Sequence, residues 1–375
     1  MQKIVKIREG ILKWAIAESE LNEDFVFSKL NFLQNEDGFY NITYKQLIQL
    51  SGLLKIGVGY LLLSEVPSPT RFLADFRTIG NKKNNCFSKD LKDLLLEMDF
   101  RKNWMSEYRQ ENEYNEFQFD SYLNLSLPIY ENVNILRSIL GIKENWFLHL
   151  ENSKSHYEYL KTKIESIGIL VMESGIVGQN TKRTLNVNEF RGFALHDKYA
   201  PLIFINSNDK IEAKNFTLIH ELIHILSGSD DDILLSTEFF VESNINKITA
   251  EFLMPLSLVK LYLQNKSEAL NIDYISKMAK YFGVSLFSLS YRLFQLRIIN
   301  KAFFDEISEA INNCINNKKS GGNFYANYLL KTSSTFSKAV IDSVLTNRIT
   351  YTDGYSLLGI RGNTFSSIEG ALYAK

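Results

Sequence analysis

The sequence is poor in cysteine, histidine and proline. Its 375 residues include only two cysteines, five histidines and five prolines. Two cysteines cannot build a disulfide framework or a cysteine-based zinc finger. Any transition-metal site in this chain therefore has to use histidine and carboxylate ligands.

An excess of charge of one sign is also missing, since 42 Lys and Arg residues face 43 Asp and Glu residues. The formal net charge of -1 excludes a globally basic nucleic-acid coat and a polybasic membrane binder, although it permits a local patch. A content of 45% hydrophobic and 23% charged residues is typical of a globular protein and not of a disordered one. The length predicts two to four structural units.

No segment resembles a membrane span or a targeting peptide. The longest apolar run, residues 53–63, is interrupted by Lys55 and is too short to cross a bilayer. Charged residues follow the first few residues of the chain, where a signal peptide would have its apolar core. We therefore expect a cytoplasmic protein without membrane association.

Hydrophobic spacing divides the chain into four predicted stretches. Residues 1–66 are expected to form about four short helices, the size of a helix-turn-helix module. Residues 67–154 are predicted to be a helical linker region, with Leu91, Leu94, Leu95 and Met98 at helical spacing. Residues 155–263 combine strand and helix patterns and form the predicted central domain. Residues 264–375 are predicted to be helical again.

The central stretch contains three short strand patterns, at residues 168–172, 193–195 and 202–205. The last two are separated by a connection short enough for a hairpin, which predicts a small antiparallel sheet. Residues 215–228 and 240–263 are predicted helices, with Asn215 as a cap of the first helix and Gly228 as its end. The chain as a whole is therefore predicted to be α+β, mostly helical, with a central domain flanked by helical regions.

The chemistry concentrates in the segment His220-Glu221-Leu222-Ile223-His224, which is an HExxH motif. Residues i and i+4 lie on the same face of a helix, so the two imidazoles can bind one Zn²⁺ ion. Glu221 lies about 100° round the helix, where it cannot be a third ligand but can reach a water on the metal. The rarity of histidine here makes a chance occurrence of the motif improbable.

A catalytic zinc site needs a third protein ligand and one open position. No histidine follows His224, so the third ligand should be a carboxylate. The candidates are Asp230, Asp231, Asp232, Glu238, Glu242 and Glu251. Glu242 is favoured because its helix would face the HExxH helix, with Asn246 one turn on as a supporting partner. Histidine and carboxylate ligands accept Mn²⁺ as well as Zn²⁺.

Several segments resemble the ImmA/IrrE family of zinc metallopeptidases, mainly over residues 160–290. They are residues 190–195 (FRGFAL), residues 217–224 (TLIHELIH) and residues 242–255 (ESNINKITAEFLMP). The last segment departs from the family pattern at Ile245 and Thr249, where the family has small residues. The resemblance implies a zincin-like fold, His220, His224 and Glu242 as zinc ligands, and Glu221 as the catalytic base.

The resemblance also implies a function, the cleavage of transcriptional repressors. Longer members of the family begin with a region similar to an Xre-type helix-turn-helix, and weaker likeness covers residues 73–78 and 321–325. We therefore expect a protein substrate, an Xre-type or similar repressor. Arg191 and His196 precede the HExxH helix and are candidates for stabilising the oxyanion or binding substrate. Arg191 is equally suited to an ordinary salt bridge, and His196 to a turn.

Two alternatives to a peptidase remain at the sequence level. The chain could be a DNA-binding transcriptional regulator or antitoxin in which the peptidase-like domain serves sensing or docking. It could also be an inactive relative that holds a metal for structure. Residues 1–66 carry seven basic and eight acidic residues, and residues 31–40, where a recognition helix should lie, contain no Lys or Arg. DNA binding by this stretch is therefore not favoured.

Overall fold

The computed structural model describes residues 4–30, 35–67, 87–117, 122–228, 234–264, 270–313, 332–360 and 362–373. The chain divides into two compact units, residues 1–95 and 96–375. The finer division into four stretches stays a prediction. Within the described residues, no helix combines the length and the apolar character that crossing a membrane requires.

The first unit combines short helices with a three-stranded antiparallel sheet of order β1-β3-β2. Its elements are β1 (Ile4–Arg8), α1 (Glu9–Ser19), α2 (Glu23–Lys29), β2 (Asn35–Glu36), β3 (Phe39–Thr43), α3 (Tyr44–Leu54) and α4 (Val58–Leu61). The four predicted helices are present, but the prediction missed the sheet. Strands of two to five residues contain too few alternations to stand out in a sequence.

A β-hairpin occupies part of the segment where a recognition helix was expected. Residues 35–36 pair with residues 39–40 around a turn in which Asp37 and Gly38 both have positive φ. Glu36 pairs with Phe39, so the hairpin is tight. A helix over residues 35–40 is therefore excluded, and the Xre-type resemblance of this unit is left as a prediction.

The second unit is mostly helical around one small sheet, which confirms the predicted α+β class. Before the HExxH segment it contains α5 (Lys89–Glu111, which begins in the first unit), α6 (Ile129–Leu140), α7 (Ser153–Ser166), β4 (Leu170–Ser174), β5 (Gly192–Leu195) and β6 (Leu202–Asn206). After β6 come α8 (Ile211–Leu226), α9 (Leu234–Leu253), α10 (Leu256–Gln264), α11 (Ile272–Phe282), α12 (Leu286–Gln295), α13 (Lys301–Asn313), α14 (Ser334–Leu345), α15 (Tyr351–Leu358) and α16 (Gly362–Tyr373). The predicted apolar stripe at Leu91, Leu94, Leu95 and Met98 is buried on α5.

The sheet of the second unit is mixed, whereas the sequence predicted an antiparallel one. Its order is β4-β6-β5, with β5 antiparallel and β4 parallel to the central strand β6. The short connection between β5 and β6 allows only an antiparallel hairpin. Residues 175–191 carry the chain from β4 past β6 to the opposite edge, so β4 runs parallel to β6. All residues of β4 and β6 are buried, since both faces of the sheet are covered.

A glycine brings the edge strand β5 close to helix α8. A Cβ atom on Gly192 would lie 2.6 Å from Cγ2 of Thr217 and 2.8 Å from the carbonyl oxygen of Phe204. These distances are too short for any side chain, so only glycine allows this approach. Thr217 lies one helical turn before Glu221, and β5 therefore passes directly beside the HExxH helix.

The two helices that carry the predicted ligands begin earlier than expected. Helix α8 starts after Lys210, and the Asn215 cap is wrong because the helix extends one turn further towards its N-terminus through Ile211. Gly228, with φ of 55°, follows the end of α8 as predicted. Helix α9 begins at Leu234, so Glu242 lies in its middle and not at its start. The predicted helix over 240–263 is two helices that meet at Pro255.

Asn215 links three elements of the second unit instead of capping a helix. It is 1% exposed, and its side-chain Nδ2 donates hydrogen bonds to the carbonyl oxygens of Ser153 (3.1 Å) and Gly283 (2.8 Å). These carbonyls lie at the start of α7 and just after α11. Asn215 thus joins α7, α8 and α11 through groups that have no access to water.

We expect Asn215→Ala to lower the free energy of unfolding of the protein by about 2–3 kcal/mol, because two buried carbonyl groups lose their donor. A urea titration followed by circular dichroism measures the change. Asn188→Ala, at an exposed position, is the control and should change stability by less than about 0.5 kcal/mol. Equal stability of both variants would contradict a structural role for Asn215.

Candidate metal centre

Helix α8 separates an apolar face from a polar face. Leu222, Ile223 and Leu226 are at most 1% exposed and pack into the main hydrophobic core of this unit. His220 and His224 lie on the other side of the helix and are half-buried. The 3.6-residue repeat therefore fixes both imidazoles at the surface of the core, one turn apart.

Glu242 on α9 meets both histidines of α8. Its Oε1 lies 3.0 Å from Nε2 of His224, and its Oε2 lies 3.4 Å from Nε2 of His220. The two Nε2 atoms are 3.1 Å apart. Within the described residues, these three side chains form a group whose ligand atoms all lie within 4.8 Å of one another, as a metal site requires.

The spacing of these atoms fits a tetrahedral metal ion. Zinc bonds of about 2.0–2.1 Å in tetrahedral geometry place neighbouring ligand atoms about 3.4 Å apart. The observed separations of 3.0, 3.4 and 3.1 Å are close to that value. If both imidazoles carried a proton on Nε2, the two N–H groups would point at each other and repel. A cation bound between them removes this repulsion, because both Nε2 atoms then act as unprotonated ligands. The donor set and geometry therefore suit a divalent metal ion with one position left for a small molecule.

Mutual contacts shift the pKa values of Glu242 and His224 in opposite directions. Burial raises the pKa of Glu242, but hydrogen bonds with His220 and His224 outweigh burial and hold it well below its ordinary value. Burial lowers the pKa of His224, while its hydrogen bond to Glu242 and the charge of Glu221 outweigh that effect and raise it. Glu242 is thus a carboxylate at neutral pH, the form that binds a metal ion.

Glu221 follows His220 on the helix and is not one of the three grouped ligands. Burial raises the pKa of the Glu221 carboxyl group, and the neighbouring His220 and His224 reduce the increase in part. A half-buried carboxyl group with a raised pKa, next to a metal centre, has the properties of a proton carrier. Its position agrees with the expectation from the motif.

The alternative third ligands differ in their surroundings. The Glu251 carboxylate pairs with the Arg292 guanidinium, and its Oε1 also accepts a hydrogen bond from the Leu256 amide, at 3.1 Å. Glu251 therefore stabilises the junction between α9 and α10 and does not join the histidines. Asp230, Asp231 and Asp232 lie outside the described residues, as does the side chain of Glu238.

The three supporting residues expected from the sequence do not join the ligand group. Asn246 is exposed one turn beyond Glu242, and it makes no hydrogen bond to Glu242 within the described residues. The exposed Arg191 forms an ion pair with Asp209, with 3.3 Å between Nη1 and Oδ2. His196 is exposed just after β5. Arg191 therefore makes an ordinary salt bridge, the second of the two roles for which its type and position suited it.

Sequence reasoning missed a buried ion pair that fixes α8 to the sheet. Lys214 on α8 pairs with Glu173 on β4, and both residues are less than 10% exposed. The Lys214 ammonium also lies 4.9 Å from the centre of the Tyr157 ring. Nothing in the sequence marks Lys214, because a lysine in an amphipathic helix normally faces solvent.

Comparison with known proteins supports a peptidase at the family level. Residues 164–294 match the family model of the IrrE N-terminal-like domain (Peptidase_M78), a range that includes all three ligands. Residues 332–368 match a domain of unknown function (DUF8813). The predicted family resemblance of the central region is therefore confirmed, while the comparison identifies neither the metal nor the substrate.

One curated protein gives a weaker similarity. A DNA ligase from Mycoplasmopsis pulmonis (strain UAB CTIP) is 26% identical over 274 residues, which cover 66% of this chain and 38% of that protein. The chain thus matches well under two thirds of that protein's length, and the ligase name describes that protein alone. No solved structure matches this chain.

We expect Glu242→Gln to weaken Zn²⁺ binding by more than roughly tenfold, because loss of a ligand should cost at least as much as loss of a supporting residue. Competition with a chromogenic chelator measures the dissociation constant. Asn246→Ala, one turn further along α9, is the matched control and should bind Zn²⁺ as the unaltered protein does. Unchanged affinity in Glu242→Gln would remove Glu242 from the site.

Proposed function

We propose that this protein is a zinc-dependent endopeptidase that cleaves a regulatory protein. The observation that carries the proposal is the convergence of His220, His224 and Glu242, with Glu221 on the same turn of α8. The match of residues 164–294 to a peptidase family model supports the same reaction class. A carboxylate poised beside a metal site is the arrangement that metal-assisted hydrolysis of an amide needs.

In this proposal His220, His224 and Glu242 hold the metal ion, and Mn²⁺ is an alternative to Zn²⁺ because it accepts the same ligands. When bound, the ion supplies Lewis acidity, which polarises the scissile carbonyl and makes a water molecule easier to deprotonate. Glu242 is available as a carboxylate at neutral pH, because its hydrogen bonds with the two histidines hold its pKa well below the ordinary value. The chain's own contribution is therefore a fixed set of three ligand atoms and one adjacent base.

Glu221 serves as general base and then as general acid. It removes a proton from the attacking water while the oxygen of that water bonds to the carbonyl carbon. It then donates this proton to the leaving nitrogen as the C–N bond breaks. Burial raises the pKa of Glu221. A higher pKa makes the carboxylate a stronger base for the proton of the water, while the protonated form can still donate that proton to the leaving nitrogen.

Within the described residues β5 pairs with β6 alone, and its other edge offers a binding surface for an extended peptide. The amide of Asn206 donates to the carbonyl oxygen of Arg191 at 2.8 Å, and these residues are opposite each other in the hairpin. Since bonded pairs alternate in an antiparallel ladder, the N–H and C=O groups of Gly192 and Ala194 point away from β6. A substrate strand pairing with these groups would lie beside α8 and its ligands.

The substrate we propose is a transcriptional repressor, of the Xre type or similar, encoded near this protein. The support for this choice is the family resemblance of the central region. Recognition through the backbone of β5 would require an extended segment of the repressor, such as a linker between its domains. The near-neutral first unit is proposed to contact proteins and not DNA.

The decisive experiment incubates the purified protein with the neighbouring regulator, with and without a chelator. We expect cleavage that stops when the metal is removed and returns when Zn²⁺ is added. Glu221→Gln should keep the bound metal but lower the cleavage rate by roughly 10²–10⁴-fold, because it removes the proton carrier and leaves the ligands. Electrophoresis follows cleavage, and elemental analysis measures the metal.

Glu212→Gln is the matched control for Glu221→Gln, since Glu212 lies in the first turn of the same helix. It should cleave the regulator at the rate of the unaltered protein. Cleavage by Glu221→Gln at an undiminished rate would disprove the proposed mechanism. Absence of stoichiometric metal from the unaltered protein would disprove the metal site itself.

We expect Ala194→Pro to lower kcat/KM for the regulator by roughly threefold to tenfold, because proline removes one backbone donor from the open edge. The hairpin should persist, since this N–H does not point towards β6 and proline is tolerated on edge strands. Ala194→Ser retains the N–H and should leave kcat/KM unchanged. Equal activity of all three proteins would contradict substrate pairing with β5.

A further inference from the structure

Three aromatic rings follow one another along the polar side of α8. Phe216, His220 and His224 are spaced four residues apart, so each ring lies one turn above the last. The ring centres of Phe216 and His220 are 6.4 Å apart with an interplanar angle of 29°. Those of His220 and His224 are 4.8 Å apart at 63°. The imidazole of His220 is therefore enclosed between two rings.

The inner nitrogen of His220 is buried without a hydrogen-bond partner among the described residues. Its Nε2 faces Glu242, and its Nδ1 is buried without a donor or acceptor in reach within the described part of the chain. A histidine that binds a metal ion usually donates its second ring N–H to a carboxylate or carbonyl group, which fixes the ring orientation. No described residue supplies that means of orientation at His220.

We propose that Phe216 is a positioning residue that orients His220 for metal binding through ring packing. This proposal rests on the metal site of the proposed function. Phe216 is half-buried and packs against the main hydrophobic core, so contacts with the core also hold its ring. Rotation of the His220 imidazole away from Glu242 is limited by the Phe216 ring on one side and by His224 on the other.

The shape of the Phe216 side chain is what the proposed role requires. A flat ring offset from the imidazole and nearly parallel to it presents a broad surface to that ring, whereas a branched aliphatic side chain of similar polarity presents a smaller one. Leucine at position 216 should preserve the apolar contact with the core but leave His220 free to rotate. A tyrosine at this position keeps the ring and should keep the orientation.

The test compares three full-length variants: Phe216→Leu, Phe216→Tyr and Phe303→Leu. Phe303 is a half-buried phenylalanine that packs against the same core from α13, and it therefore controls for the general loss of a ring. Competition with a chromogenic chelator gives the dissociation constant for Zn²⁺, and the visible spectrum of bound Co²⁺ reports the ligand geometry. The thermal midpoint of each metal-free protein controls for folding.

We expect Phe216→Leu to raise the dissociation constant for Zn²⁺ by roughly tenfold or more, the usual size of an effect on ligand orientation. Its Co²⁺ spectrum should change, while Phe216→Tyr and Phe303→Leu should match the unaltered protein in both measurements. Since Phe216→Leu and Phe303→Leu both remove one ring from the same core, their metal-free thermal midpoints should fall by similar amounts.

Three outcomes overturn the proposal. Equal Zn²⁺ affinity in Phe216→Leu and the unaltered protein means that the ring does not orient His220. If Phe216→Tyr weakens Zn²⁺ binding as much as Phe216→Leu does, the ring is not what orients His220. If Phe303→Leu weakens Zn²⁺ binding equally, the effect is a general loss of packing and not a contact with His220. These results leave the metal site intact, whereas failure of the unaltered protein to bind Zn²⁺ overturns both the site and the role of Phe216.

Discussion

The packing of α8 against the core determines where the two histidines of the candidate metal centre lie. Its buried leucine and isoleucine side chains each stabilise the folded state by about 1.5–3 kcal/mol, which fixes the rotation of the helix about its axis. Once that rotation is fixed, His220 and His224 have to emerge on the opposite side. The Lys214–Glu173 ion pair and the hydrogen bonds of Asn215 hold the same helix along its length.

Helix α9 supplies the third ligand under a different constraint. Ile245, Ile248 and Phe252 are at most 1% exposed, so this helix is also fixed by burial. Glu242 then faces α8, where hydrogen bonds with the two histidines keep its carboxyl group ionised. Glu251, two and a half turns later and near the C-terminal end of the helix, pairs with Arg292. Two carboxylates of one helix thus have separate surroundings, one beside the two histidines of the candidate metal centre and one in an ion pair that stabilises the fold.

The first unit resembles a helix-turn-helix module in the number of its helices but differs from one in structure. Residues 1–66 have the length and the helix content of such a module, but part of the predicted recognition segment is a β-hairpin. The segment contains two acidic residues and no basic ones, which agrees with a surface that does not read DNA. The number of short helices alone is therefore a weak guide to function, because very short strands leave little trace in hydrophobic periodicity.

The sequence alone determined the α+β class, the pairing of His220 with His224 on one helix face and the preference for Glu242 as the third candidate ligand, because these depend on local periodicity and on the scarcity of histidine. Only the tertiary structure decided the mixed sheet, the true starts of α8 and α9, and the separation of Asn246 and Arg191 from the ligand group. It alone also showed the ring of Phe216 against His220. Those features depend on contacts between residues far apart in the chain or on side-chain directions, and a linear pattern contains neither.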